Sequence, residues 1–331
     1  MNKFEQNGVD LVAIGGGTGL STLLSGLKKY VGAGLDGIAV RNLSAIVAVS
    51  DDGGSSGRLR DEFQMPPPGD IRNCMVALSE DSHLLSKLFK YRFAGDGQLA
   101  GHNFGNLFLA ALSGVTGDFA EAVRLSSEIL ASKGRIFPAT VSDVRIAARL
   151  TDGSVVQGET NISKTGGTIE RMYLEPEDCE PHPEAIAAIS NGDILTIGPG
   201  SLYTSILPPL LVNGVVDAIA ASSATKIFVC NLMTQPGETD GLTARRHLEI
   251  VRDYAPRLDF DYVMVNNRPI SDIQKHLYTR DGAEQIGVHG SIDSEVIEGA
   301  SVVYANLLDD GDLVRHHPER LARAVLRLES R

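Results

Sequence analysis

The stretch LVAIGGGTG, residues 11–19, places an apolar run directly before a cluster of glycines. The apolar run predicts a buried β-strand, and LSTLLSGLKKYV at residues 20–31 has the spacing of a following helix. A glycine turn between a strand and a helix offers backbone N–H groups and a helix N-terminus to a phosphate. We predict ligand contacts at Gly16, Gly17, Thr18 and Gly19.

The same turn departs from the dinucleotide fingerprint. That motif, G-x-G-x-x-G, requires a glycine at position 20, where this chain has Leu20. The turn therefore gives little support to an NAD-dependent oxidoreductase, and a tight strand–helix turn without a ligand is the alternative interpretation.

The alternation continues along the chain and predicts the fold class. Further apolar strands are AIVAVSD (45–51), ILTIG (194–198), KIFVCN (226–231) and DYVMVNN (261–267). Nearly continuous apolar strands that alternate with helices indicate a parallel sheet covered on both faces. We predict a Rossmann-like, doubly wound α/β fold with a mainly parallel sheet. Helical spacing is found at residues 82–93, 103–114, 118–130, 201–212, 243–255 and 271–278.

One segment has a different period. Residues 141–175 alternate with period two around Asp152–Gly153, which predicts an antiparallel β-hairpin. Because no linker flanks this segment, we interpret it as an excursion at the edge of the sheet within a single domain that spans residues 1–331.

Composition narrows the class of protein. The chain has 331 residues, 43 % of them hydrophobic, and a net charge of −12 that argues against a nucleic-acid partner. Its three cysteines lack metal-ligand spacing. No apolar run has the length of a membrane span, and the N-terminus lacks the pattern of a signal peptide. We expect a cytoplasmic protein.

The stretches DDGGSSGR (51–58) and PPPGDIRN (66–73) predict a polar loop after the second strand. Asp51 and Asp52 end that strand, where a carboxylate suits a ribose or a magnesium ion. We expect Asp70 to be the N-cap of the next helix, and Arg72 to bind a phosphate or pair with Asp70. A solvated loop with capping acids is the alternative. Candidate ligand contacts here are Asp51, Asp52, Ser55, Ser56, Gly69, Asp70, Arg72 and Asn73.

Other small, polar clusters precede or follow apolar segments. GHNFGN (101–106) opens a helix, and GPGSLYTS (198–205) forms a second strand–glycine–helix turn. The carboxyl ends of parallel strands share one edge, so these loops are expected on one rim of the sheet. His102 is either functional or a buried histidine with its hydrogen bonds satisfied. Candidate contacts are His102, Asn103, Asn106, Gly198, Gly200, Ser201, Thr204 and Asn231.

These motifs together resemble a known family. GGGTG, DDGGSSGRLR, PPPGDIRN, GHNFGN, GDF, IGPGSLYTSILP and MTQPGETDG occur in this order, from about residue 11 to Arg315–His316. The chain resembles the YvcK/CofD-like family, and within it the bacterial gluconeogenesis-factor branch. The resemblance implies a cytosolic protein that binds UDP-sugars, notably UDP-N-acetylglucosamine, with no established catalysis and no required cofactor. It also implies roles in growth and cell shape on gluconeogenic carbon sources, and a link to cell-wall synthesis.

The neighbouring CofD branch supplies the enzymatic alternative. Its members are 2-phospho-L-lactate transferases of coenzyme F420 biosynthesis that use a guanosine diphosphate carrier and magnesium. This chain departs from their GPSNP-like turn at Gly198–Leu202, and only 5 % of its residues are aromatic. NAD or GDP in the same cleft, and magnesium on the acids, remain alternatives.

The C-terminal third adds two candidates and the partner predictions. Tyr278 is expected to stack on a uracil or a sugar, or else to pack on the core. Arg315 is expected to neutralise a diphosphate, or else to pair with Asp312. We expect a homo-oligomer, a cell-wall synthesis protein as a further partner, and no nucleic acid.

Overall fold

A computed structural model of the chain describes residues 8–32, 37, 39–80, 83–280, 282–287 and 296–328. Its strands form one large sheet and one small sheet. In chain order the strands are β1 (Val9–Gly15), β2 (Val40–Val47), β3 (Arg135–Pro138), β4 (Arg145–Leu150), β5 (Val155–Gln157), β6 (Ile169–Glu175), β7 (Ile194–Ile197), β8 (Thr225–Val229), β9 (Tyr262–Asn266), β10 (Val296–Ile297) and β11 (Ala300–Ala305).

The helices cover both faces of the large sheet. In chain order they are α1 (Gly17–Leu27), α2 (Gly54–Phe63), α3 (Gly69–Leu78), α4 (His83–Lys90), α5 (Phe104–Thr116), α6 (Phe119–Ile129), α7 (Glu159–Ile162), α8 (Pro183–Asn191), α9 (Leu207–Leu211), α10 (Val215–Ala221), α11 (Ala244–Tyr254), α12 (Asp272–Thr279) and α13 (Pro318–Leu326). A short 3₁₀-helix (Lys28–Tyr30) follows α1, and a π-helix (Leu202–Ile206) precedes α9.

The large sheet has eight strands in the order β10-β11-β9-β8-β7-β1-β2-β3. All neighbouring pairs in it are parallel except β10 and β11. The chain winds from β1 outward through β2 to β3, and later from β7 outward through β8 and β9. The direction of winding therefore reverses between β1 and β7. The predicted Rossmann-like, doubly wound fold is confirmed.

The central strand β1 shows why its sequence is apolar throughout. Leu11 and Ala13 belong to one core layer, which includes α1 and α13, whereas Val12 and Ile14 belong to the other, which includes α8, α9 and α10. Successive side chains of a strand point to opposite faces, so both faces of β1 are buried.

The segment DDGGSSGR differs from the predicted loop. Strand β2 ends at Val47 rather than at Asp51, and α2 begins at Gly54. Helix α2 is anchored by its buried residues Leu59 and Arg60. Arg60 donates to the Asp143 carboxylate and to a backbone carbonyl. Because contacts distant in sequence hold this short polar helix, its sequence has little of the apolar periodicity that predicts a helix.

The predicted cap of the next helix is also wrong. Helix α3 begins at Gly69 after the N-cap residue Pro68, and no side chain caps it. Asp70 lies inside the first turn, and its carboxylate accepts from the backbone N–H of Gly17 instead. A tertiary partner thus replaces the local one.

The excursion forms a sheet of its own. Strands β4 and β5 pair antiparallel around Asp152–Gly153, which confirms the hairpin, and β6 adds a third strand in the order β5-β4-β6. The excursion follows β3, the edge strand of the large sheet, and its strands pair only with one another. Thr160, between β5 and β6, donates to Asp52, so the excursion is bound to the loops that follow β2.

The described helices are short compared with a membrane span. None of them alone is long and apolar enough to cross a membrane. One pair, Leu202–Leu211 with Val215–Ala221, satisfies the composition only when taken together and is bent by 80°. Leu207 and Ile219 in this pair are buried in the core.

Candidate functional site

The two glycine turns meet where the winding of the sheet reverses. A Cβ added to Gly19, in the turn after β1, would lie 2.3 Å from the carbonyl oxygen of Pro199, in the turn after β7. A Cβ at Gly200 would lie 3.0 Å from the Ser205 side chain. Glycine is required at these positions for close approach of the two backbones. Part of the glycine content thus serves packing between the turns.

The N-terminus of α1, predicted to receive a phosphate, is filled by a side chain. The Asp70 carboxylate accepts from the Gly17 N–H at 2.8 Å, and the Asn73 side chain also hydrogen-bonds to it. Burial, together with the nearby Asp51 carboxylate, raises the pKa of Asp70 to about 7. Asp70 is therefore only partly ionised at neutral pH.

Four carboxyl groups lie together beside this turn, and we call Asp51, Asp52, Asp70 and Glu159 the carboxyl cluster. Asp51 accepts from the Gly53 N–H at 2.8 Å. Burial raises the pKa of Glu159 to about 8, and Asp51, Asp70 and Asp52 add repulsion, while a hydrogen bond with Thr204 opposes the shift.

Glu159 and Thr160 were not predicted from the sequence. Asp52 accepts from the Thr160 N–H at 2.9 Å and from its hydroxyl at 2.7 Å. A Cβ on Gly158 would lie 2.1 Å from a carboxylate oxygen of Asp52, and the φ of Gly158 is +90°. A glycine directly before two polar residues that begin a helix was the only local signal, and it does not indicate which loop the excursion meets.

Ser55, Ser56 and the segment before α5 form a buried polar layer behind the cluster. The Ser55 hydroxyl and Nδ1 of His102 form a hydrogen bond of 3.1 Å, and the Asn103 N–H donates to the same hydroxyl. Asn103 caps α5 through its side-chain oxygen. Asn106 donates to the Ser56 hydroxyl at 3.3 Å. These contacts support the loops whether or not a ligand is bound.

The charges around this layer affect His102 and Arg72. Burial, assisted by the positive Arg58, lowers the pKa of His102. Arg72 donates to Asn73 at 2.6 Å, and burial lowers its pKa. Within the described ranges, Arg72 makes no ion pair with Asp70.

A cleft of about 580 Å³ opens between the two glycine turns and the C-terminal segment. Its floor is fixed by Asn231, which accepts from the Gly200 N–H at 3.2 Å. Glu238 accepts from the hydroxyls of Ser201 and Ser163, both at 2.6 Å, and so connects the second turn with the excursion. Side chains of the cleft that can hydrogen-bond a ligand include Thr18, Thr22, Ser163, Ser201, Asn231, Thr234, Gln235, Glu238, Tyr278 and Arg315.

Tyr278 and Arg315 both line this cleft, and their side chains differ in the contacts that hold them. The Tyr278 hydroxyl accepts from the Val314 N–H at 3.1 Å, and its ring packs partly against the core. Arg315 is exposed, and no ion pair of the described residues includes it, so the alternative pairing with Asp312 is absent there. The donors of the guanidinium are therefore not engaged in an ion pair with the described residues.

His316, also in the cleft wall, is a buried neutral base. Burial lowers its pKa to about 4, although its ring N–H donates to the Cys230 carbonyl. Its Nε2 atom is buried and has no hydrogen-bond partner among the described residues.

The structure divides most of the predicted residues into two adjoining groups. The cleft contains Thr18, Gly19, Gly200, Ser201, Asn231, Tyr278 and Arg315. Around the carboxyl cluster lie Gly16, Gly17, Asp51, Asp52, Ser56, Gly69, Asp70, Asn73 and Thr204. Ser55, Arg72, His102, Asn103 and Asn106 lie behind that cluster, and Gly198 packs against the Val229 carbonyl.

The arrangement of the carboxyl cluster bears on the predicted magnesium site. In the part of the chain that the structure describes, no group of three or more His, Cys, Asp or Glu side chains is arranged to hold a metal ion. Thr160 already engages Asp52, and Gly17 engages Asp70. These carboxyls are held by protein hydrogen bonds rather than grouped around a cation position.

Fold and site define a Rossmann-like α/β protein with a cleft at the switch point of its sheet. The model of the family described as 2-phospho-L-lactate transferase CofD matches residues 11–308. The chain belongs to this family.

Relatives with similar sequences are known from several bacteria. A Nostoc protein is 48 % identical over 325 residues, which cover 97 % of this chain and 68 % of that protein. The protein named gluconeogenesis factor in Halalkalibacterium halodurans is 42 % identical, and the alignment covers 96 % of this chain and 95 % of that protein. The gluconeogenesis factor of Bacillus subtilis is also 42 % identical, and the alignment covers 96 % of this chain and 97 % of that protein. A crystal structure of a Bacillus halodurans protein matches with a TM-score of 0.90 at 42 % identity, covering 97 % of this chain and 100 % of that one.

Proposed function

We propose that the chain is a nucleotide-sugar-binding regulatory protein, a gluconeogenesis factor whose ligand is of the UDP-N-acetylglucosamine type. The names of relatives that align over nearly their full length support the assignment as a gluconeogenesis factor. The location of the cleft supports the proposed ligand binding, because ligands of doubly wound folds bind where the winding of the sheet reverses.

The observation that carries the proposal is the exposed guanidinium of Arg315, which forms no ion pair with the described residues and lies in a cleft rich in hydroxyl groups. A planar guanidinium can donate two parallel hydrogen bonds to a diphosphate. Thr18 and Ser201 lie in the same cleft and suit sugar or phosphate oxygens. Tyr278 offers a ring for a base, with its hydroxyl already fixed by Val314.

The regulatory role follows from how the cleft is connected. Glu238 joins the second glycine turn to the excursion, so a ligand that binds Ser201 competes for or reinforces this connection. A ligand with different affinities for two arrangements of these loops shifts the equilibrium between them. In the cytoplasm, such a shift would support growth and cell shape on gluconeogenic carbon sources through a partner in cell-wall synthesis.

Thermal unfolding tests the proposal directly. The purified chain is melted with UDP-N-acetylglucosamine, GDP, NAD or no ligand, each with and without Mg²⁺. A ligand at about a hundred times its Kd adds ~2.7 kcal/mol, which raises Tm by a few degrees. We expect this rise with the UDP-sugar in the absence of Mg²⁺, and no rise with any UDP-sugar would overturn the proposal.

A transferase of the CofD kind is the second candidate, favoured by the family match and the carboxyl cluster. Glu159 and Asp70, with pKa values of about 8 and 7, can hold or release a proton near neutral pH. Two results together would favour this candidate over the first. One is a Tm that rises only with GDP plus Mg²⁺, and the other is transfer of a lactyl phosphate from a guanosine diphosphate carrier.

A further inference from the structure

The outer face of α5 is apolar along its whole length. The helix sequence FGNLFLAALSGVT contains no charged residue. Phe104, Leu107, Phe108, Ala111 and Val115 recur at helical spacing and form one stripe, which we call the α5 stripe. The stripe faces away from the buried residues of the same helix. A helix that is apolar on all sides is ordinarily buried on all sides.

The described chain leaves the α5 stripe uncovered. Val115 is 82 % exposed, and Ala111 is exposed at the middle of the helix. Phe104, Leu107 and Phe108 are half-buried.

Helix α4 extends the same surface. Leu84 is 80 % exposed and Leu88, one helical turn later, is 40 % exposed. On its inner side, α4 packs Phe89 against Phe104 and Phe108, with ring centroids 5.9 and 5.1 Å apart. We call the α5 stripe together with Leu84 and Leu88 on the adjoining helix the α4–α5 face. An exposed apolar surface of this kind marks an interaction site.

The junction between the two helices arranges the charges around the α4–α5 face. The Phe104 N–H donates to the Tyr91 carbonyl at 2.8 Å, which places the end of α4 beside the beginning of α5. Lys87 and Lys90 therefore lie at the Phe104 end, and Asp118 follows the opposite end. All three are exposed, and within the described ranges none forms an ion pair.

This pattern of charge is complementary to itself. Asp118 supplies the negative charge at the C-terminal end of α5, and its carboxylate also accepts from the Glu121 N–H as the N-cap of α6. If a second α4–α5 face is turned by a two-fold axis through the middle of α5, its lysines meet Asp118, and its Asp118 meets the lysines. The small residues Ala111 and Gly114 at that position allow two helices to approach closely.

We propose that a second copy of this chain covers the α4–α5 face, with the two α5 helices antiparallel about an axis near Ala111. Closed two-fold dimers bury the same patch of both subunits, as this arrangement does. Helix α5 is capped by Asn103, and Asn106 bonds Ser56, so the contact would also fix the polar layer behind the carboxyl cluster.

The mass of the protein in solution provides the first test, by sedimentation velocity over a range of concentrations. We expect twice the chain mass for the wild type and the mass of one chain for Leu84→Glu and Val115→Lys, because a lysine at 115 would face Lys87 and Lys90 of the second copy. Both side chains are at least four-fifths exposed, so the variants are expected to fold, which circular dichroism checks. Ile273→Glu, on α12 and 71 % exposed, is the matched control and is expected to remain a dimer.

Cysteine cross-linking provides the second test and reports the geometry. The native cysteines are buried, so an introduced exposed cysteine reacts alone. Ala111→Cys is expected to form a disulfide-linked dimer under mild oxidation, and Ser190→Cys, on the exposed side of α8, is not. A wild type with the mass of one chain at all concentrations, a dimer that survives Val115→Lys, or capture of an unrelated protein by a monomeric chain would overturn the proposal.

Discussion

The carboxylate of Asp70 accepts a hydrogen bond of 2.8 Å from the backbone N–H of Gly17, 53 residues earlier in the chain. This bond joins the first turn of α3 to the first turn of α1. A carboxyl group whose pKa is about 7 thus fills the helix N-terminus that the glycine pattern assigns to a phosphate. Ligand contacts from this turn are left to Thr18 and Gly19, which face the neighbouring cleft.

Replacing Glu159 by Gln is expected to stabilise the protein at alkaline pH. The folded state raises the pKa of Glu159 from 4.5 to about 8, so it holds a proton that the unfolded chain has lost in this window. The free energy of unfolding of the wild type therefore falls as pH rises between these values, by about 2 to 4 kcal/mol. Urea titrations at pH 5 and pH 9 measure this loss, which should be smaller in Glu159→Gln, where the raised pKa of Asp70 still contributes.

Glu170, an exposed glutamate on β6, provides the control for that experiment. Glu170→Gln should follow the wild type at both pH values. A Glu159→Gln variant that also follows the wild type would show that Glu159 is ionised throughout.

His316 is expected to destabilise the protein at acid pH. Its pKa falls from 6.5 to about 4 on folding. Between these two pH values the imidazole is therefore protonated in the unfolded chain and neutral in the folded state. Stability is therefore lost as pH falls through this window, by about 2 to 3 kcal/mol. His316→Gln should reduce the loss between pH 7 and pH 4, and the exposed His276→Gln should not. Equal losses in both variants would contradict burial of the neutral imidazole.

Gly19→Ala is expected to force the two glycine turns apart. The added Cβ would lie 2.3 Å from a backbone oxygen of Pro199, and a backbone atom cannot move aside as the end of a side chain can. We expect a loss of about 1 to 3 kcal/mol in the free energy of unfolding, together with weaker ligand binding. Gly97→Ala, where nothing lies within 4 Å of the added atom, is the control, and similar losses in both would refute the contact.

Thr160→Val is expected to loosen the excursion. The change removes the 2.7 Å hydrogen bond from the threonine hydroxyl to the Asp52 carboxylate and leaves the backbone bond in place. We expect a loss of about 1 to 2 kcal/mol and faster hydrogen exchange of the amides in α7. The exposed Thr151→Val is the control. Unchanged exchange in α7 would mean that the hydroxyl bond to Asp52 does not contribute to holding the excursion.

The fold could be predicted because the sheet is parallel and buried on both faces. Strands β1, β7, β8 and β9 are continuous apolar runs, and each is followed by a helix, which leaves a clear pattern. Strands β3 and β10, with four and two residues, are too short to produce such a pattern.

The site could be predicted in its loops but not in its contacts. The rule that ligands bind at the carboxyl edge places Thr18, Ser201 and Asn231 correctly in one cleft. It does not indicate that Asp70 bonds Gly17, or that the excursion brings Glu159 to the same edge. These relationships join distant segments, and no local sequence pattern carries them.

Isothermal titration calorimetry with UDP-N-acetylglucosamine tests most directly the claim that Arg315 binds the diphosphate of a nucleotide sugar in the cleft. Arg257, whose side chain is 72 % exposed and pairs with Asp217, supplies the matched control. We predict binding by the wild type and by Arg257→Ala, and a loss of tenfold or more in Arg315→Ala, about 1.4 kcal/mol. Equal affinity in all three proteins, or no binding by the wild type, would contradict the claim.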